Sequence, residues 1–121
     1  MATTKTLLGS TVYGTPSGNY DGSSQDWASD GVTAADYYRG YGGLQTVTFS
    51  VNNFVGIMHL EATLEDNQDT ATSWFNTYTL GDGSSFTTGI YPASITGNFT
   101  WMRVRVELFD AGTINSVVIT Y

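Results

Sequence analysis

From Leu44 to Val51 apolar and polar residues alternate: Val47, Phe49 and Val51 share one face, and Thr46, Thr48 and Ser50 share the other. A strand buried on one side requires this period, because successive side chains project to opposite faces of a sheet. Asn52 and Asn53 read as a turn, after which Phe54, Met58, Leu60, Ala62 and Leu64 form a second apolar face. Val55, Ile57, His59, Glu61, Thr63 and Glu65 lie opposite them. A third segment, Asn98 to Phe109, sets Thr100, Met102, Val104, Val106 and Leu108 inward and Phe99, Trp101, Arg103, Arg105 and Glu107 outward. The expected core is therefore Val47, Phe49, Val51, Met58, Leu60, Leu64, Met102, Val104, Val106 and Leu108.

Weaker strand signals fill the remainder. Thr6 to Tyr13 reads as a first strand and Trp74 to Leu80 alternates before the turn Gly81-Asp82-Gly83. Phe86 to Thr96 contains Gly89 and Pro92 and suits a sheet edge, because proline cannot donate a ladder hydrogen bond. Asp110 to Gly112 reads as a turn into a final strand, Thr113 to Tyr121. No stretch repeats apolar residues with a helical period over three turns. About seven or eight strands at spacings of roughly ten residues predict an all-β chain, one antiparallel β-sandwich or jelly-roll-like domain over residues 1–121. The exception to short connections is a Gly, Ser and Asp-rich loop around residues 14–43. Loops of that length inside compact domains tend to serve function or contact partners.

Composition narrows the class further. Zero cysteines exclude disulfides, thiolate metal sites and a thiol nucleophile. Four basic residues against 11 acidic ones give a net charge of -7, which repels phosphate backbones and anionic lipid. Neither nucleic acid nor membrane is an expected partner. Met1 to Ser10 lacks the apolar run of a signal peptide, so secretory export is not expected, and the Asn98-Phe99-Thr100 sequon then carries no meaning.

Candidate chemistry is sparse. His59 is the sole histidine and no serine or aspartate near it forms a triad or nucleophile elbow, so it reads as a residue on the outer sheet face. Glu61, Glu65 and Glu107 could supply a glycosidase's carboxylate pair. The plainer expectation is cross-strand ion pairing with Arg103 and Arg105 if the two long strands lie side by side. Asp21, Asp26, Asp30 and Asp36 supply oxygen ligands, but their spacing does not fit a calcium loop; solvated turn carboxylates are expected, with no metal and no cofactor. Tyr20, Trp27, Tyr37, Tyr38 and Tyr41 are the candidate partner-binding residues. Aromatics in a Gly-rich loop serve protein interfaces and sugar platforms alike, or cap one end of a core.

The run from Gly97 through Asn98-Phe99-Thr100-Trp101-Met102-Arg103-Val104-Arg105 to Val106, followed by Phe109-Asp110-Ala111-Gly112-Thr113-Ile114-Asn115-Ser116-Val117, resembles small virion structural proteins of tailed phages, notably those infecting cyanobacteria. Phe54-Val55-Gly56, Leu60-Glu61-Ala62-Thr63-Leu64 and Trp74-Phe75 follow the same family's pattern. The resemblance spans Leu44 to Tyr121, while the first 43 residues carry none. It implies a non-enzymatic building block of a virion assembled in the host cytoplasm: a capsid decoration (cement) protein, or else a neck, tail or fibre component. The expected partners are viral structural proteins, the major capsid protein or further copies in a symmetric oligomer. The alternative is a carbohydrate-binding β-sandwich module recognising a host glycan.

Overall fold

A computed structural model describes residues 4–34, 44–97 and 99–121. Those residues form an all-β structure of eight strands in one antiparallel sheet. Its frame is two strands of 20 residues each, β5 (Leu44–Thr63) and β8 (Trp101–Thr120), paired from Thr46↔Thr120 to Thr63↔Trp101. On one flank of β8 lie β1 (Thr4–Leu8), β2 (Thr11–Val12), β3 (Trp27–Ala28) and β4 (Val32–Thr33). On the opposite flank of β5 lie β6 (Phe75–Leu80) and β7 (Thr87–Thr96).

Straight strands of that length would span about 66 Å, whereas a chain of this size has a radius of gyration near 14 Å. The ladder therefore has to bend. It does so at irregularities between Ser50 and Ile57 on β5, opposite the segment from Glu107 to Ser116 on β8. Bending brings the two ends of β8 together: the Tyr121 hydroxyl donates to the Thr33 carbonyl at 3.0 Å, and Thr33 pairs with Trp101. Lys5, paired with Ile119, reaches the Thr33 hydroxyl across the same gap. Phe49 in the first half of β5 stacks on Tyr78, the partner of Leu60 in the second half, at 5.5 Å. The sandwich is one sheet folded over itself, with its core between the halves.

Two expected turns are thus bends within continuous strands. Asn53 and Gly112 take positive φ, 52° and 89°, as tight turns also demand. Leu108 has φ 53° and forms a bulge, its amide donating to Asp26 Oδ1 at 3.1 Å. That extra residue reverses the alternation, so Leu108 is 46% exposed and Phe109 is fully buried in its place. Leu64 is likewise outside, because β5 ends at Thr63 and Leu64 opens the following loop. The other eight expected core residues are buried. Val55, Glu61 and Thr63, expected on the open face, are buried as well.

The stretch expected as a structureless loop divides. Residues 25–34 run along β8, where β3 and β4 pair with it and Ser29 exchanges hydrogen bonds with Val104 through its amide (2.8 Å) and its hydroxyl (2.9 Å). Residues 35–43, including Asp36, Tyr37, Tyr38 and Tyr41, lie outside the described residues.

Candidate functional site

The second half of β5 and the first half of β8 place His59 and Glu61 beside Arg105 and Arg103 in the ladder. Residues two apart on a strand share a face, so Glu107 joins the same outer surface. Glu61 Oε1 accepts from Arg103 Nε at 2.8 Å and Glu61 Oε2 accepts from Arg105 Nε at 2.9 Å. Arg105 Nη1 also bridges to Glu107 Oε1, and Glu107 Oε2 lies 2.9 Å from His59 Nε2. His59 Nδ1 closes the row on the Thr79 hydroxyl at 3.0 Å. At the other end the Arg103 guanidinium sits 4.2 Å from the centroid of the Trp74 ring. The cross-strand ion pairs expected of these two strands are present, linked into a chain from Trp74 to Thr79. Glu65 takes no part: its carboxylate accepts the amides of Thr72 and Ser73, both at 2.7 Å.

This arrangement limits the chemistry of the face. A retaining or inverting glycosidase needs one carboxylic acid able to give a proton and one carboxylate open to the sugar. Glu61 has both oxygens committed to arginines, with a side chain only 7% exposed. Glu107 is held below its ordinary value of 4.5 by the His59 contact first and the Arg105 contact second, so it is a poor proton donor near neutral pH. What the row does supply is rigidity, since each member fixes the geometry of the next.

A carboxyl whose folded value is depressed stabilises the fold above its unfolded value and loses that contribution as pH falls through the folded one. Glu107 should therefore contribute fully above pH 4.5 and progressively less below it. Thermal melts of the native chain and of Glu107→Gln from pH 7 to pH 3 are expected to diverge at the high end and converge at the low end. Parallel curves would mean that Glu107 does not couple to folding.

The candidate partner-binding residues fall in three places. Tyr20 is 1% exposed, with its ring 5.1 Å from Phe109 and its oxygen accepting the Gly14 amide at 2.9 Å. It is a core residue, correcting its expected place on a binding loop. Phe109, flanked by Tyr13, Trp27 and Phe54 as well, is the centre of an aromatic cluster at the bend of the sheet. Trp27 is half-buried in this cluster, and its indole nitrogen is buried with no partner among the described residues. Tyr37, Tyr38 and Tyr41 lie outside the described residues.

The acidic side chains are dispersed. Asp21 accepts from the Ser24 hydroxyl and from the amides of Ser24 and Ser23, which lowers its carboxyl pKa to about 2. Asp26 holds the Leu108 amide and Asp30 accepts from the Asn19 side chain. Among the described residues no three His, Asp or Glu side chains gather in a group able to hold a metal ion. A shallow cleft of about 240 Å³ opens between β1 and this segment, lined in part by Thr6, Leu8, Gly18, Asn19 and Asp30. Asn19 and Asp30, bonded to each other, are its main polar groups. No helix long and apolar enough to cross a membrane is found among the described residues.

Compared with family models, with characterised proteins and with solved structures, the chain matches none.

Proposed function

We propose that this chain is a non-enzymatic structural protein of a tailed-phage virion, a capsid decoration protein that binds neighbouring capsid subunits. One observation carries the reading. The segments whose residues resemble such proteins, 54–75 and 97–117, include the halves of β5 and β8 that meet in the ladder, and the charged groups there are consumed by one another. A face of that kind favours a rigid scaffold over a catalytic surface, which would need titratable groups left open to substrate. The net charge of -7 disfavours packaged nucleic acid as the binding partner and leaves protein as the better one.

In this reading the partner-facing groups are Tyr37, Tyr38 and Tyr41, while Tyr20 and Trp27 support the sheet from inside. Tyrosine carries large contact area at little entropy cost, which is why interface hot spots are rich in it. Replacing Tyr38 with alanine is expected to weaken attachment to particles by about 1 to 3 kcal/mol, roughly a 5- to 150-fold loss of affinity, with the melting temperature little changed. Co-sedimentation with particles measures the first and a thermal melt the second. Undiminished attachment would remove Tyr38 from the interface. Selective glycan binding lost in the same variant, with attachment intact, would shift the chain to the carbohydrate-binding class.

A further inference from the structure

We infer that the open edge of β7 (Thr87–Thr96) is a self-association surface, through which two copies of this chain join edge to edge as antiparallel strands. The strand is 10 residues long and pairs only with β5 among the described residues, so its other side presents backbone donors and acceptors with no strand partner there, the Thr88 carbonyl alone being taken by the Tyr91 hydroxyl at 2.9 Å. Edges of that kind are ready to pair with another extended chain, and proteins that avoid this place lysines or other charges there, or prolines. Here Pro92 is present and charges are not. From Gly83 to Met102 the sequence has no Asp, Glu, Lys or Arg. Ile90 stands 69% exposed on the strand, and Phe86, just before it, is 71% exposed.

Charge selects the occupant. A molecule of net charge -7 repels its own copies over most of its surface, and the repulsion is least where no charge lies on either side. The β7 edge supplies such a place, and a two-fold axis lets each copy offer the same neutral strand to the other. Pro92 withdraws one donor from the row. It shortens the paired stretch without removing it, which suits a reversible dimer. Because β7 is consumed in the pairing, association of this kind closes at two copies. The inference does not depend on the virion reading: a dimer that fails to attach to particles, or a monomer that attaches, would separate the two.

Sedimentation equilibrium of the full chain, followed from low micromolar to near-millimolar concentration, is the test. The expected result is a single monomer–dimer equilibrium that reaches twice the 13.1 kDa monomer mass. Ile90→Lys should raise the dissociation constant at least tenfold by bringing a cation from each copy to the joined edge, with an unchanged melting temperature at concentrations where the chain is monomeric because the side chain is exposed. Ile90→Ala should leave most of the dimer in place, since backbone bonds carry it. A chain that stays monomeric throughout, a dimer indifferent to lysine at position 90, or growth beyond two copies would each overturn the inference.

Discussion

Val104→Asp should abolish the folded state. Val104 is fully buried, pairs with Leu60 in the central ladder and shares its backbone bonds with Ser29 on the flanking segment. A carboxylate placed there is turned away from both neighbouring arginines, since Arg103 and Arg105 alternate to the outer face and are held by Glu61. Burying an unpaired charge costs several kcal/mol, comparable with the whole stability of about 5 to 15 kcal/mol expected of a small domain. Far-ultraviolet circular dichroism and a thermal melt measure the outcome, with loss of a cooperative transition expected. Leu64→Asp is the control. That residue is 63% exposed in the loop after β5, and its substitution should change stability by no more than about 0.5 kcal/mol. Equal effects at the two positions would mean that the faces are assigned wrongly.

Gly112→Ala is expected to cost about 3 kcal/mol or more. Gly112 has φ +89°, where an alanine is strained, and a β-carbon there would overlap the Asn53 carbonyl and come within 2.7 Å of the Phe54 Cα. These are backbone atoms of the other long strand at the bend, so no side chain can swing aside to make room. The two central strands would have to separate where the sheet folds over, adding packing losses to the strain. Denaturant titration should register the loss as a lower midpoint. Gly9→Ala has open space and no positive φ, and it should lie close to the native chain. A native-like midpoint for Gly112→Ala would contradict the close approach of the two bends.

Much of this fold is legible in the sequence, and the places where legibility stops share a cause. Val47, Phe49 and Val51, and likewise Met102, Val104 and Val106, alternate cleanly and are buried as that pattern demands. The cross-strand pairing of Glu61 with Arg103 and Arg105 follows from parity alone once the strands are neighbours. Alternation does not distinguish a turn from a bulge, because Asn and Gly supply positive φ to both. Asn53 and Gly112 consequently read as ends of strands when they are bends inside them. The positive φ of Leu108 has no local signal at all, and it reverses which of Leu108 and Phe109 is inside.

The same bend explains Tyr20. An aromatic ring amid glycine, serine and aspartate reads as exposed, yet the folded sheet brings Phe109 and Trp27 against it at the corner and buries it. The link from Arg105 through Glu107 to His59 required the second strand in place. What the sequence did offer was the shared outward parity of Glu107 with the arginines.

Localisation by electron microscopy of purified virions from cells producing this chain tests the proposed virion role most directly. Density for the folded sheet is expected at repeated, symmetry-related positions on the outer surface of the capsid, at lower occupancy when Tyr38 is replaced by alanine. Particles that contain no copy of the chain would contradict it.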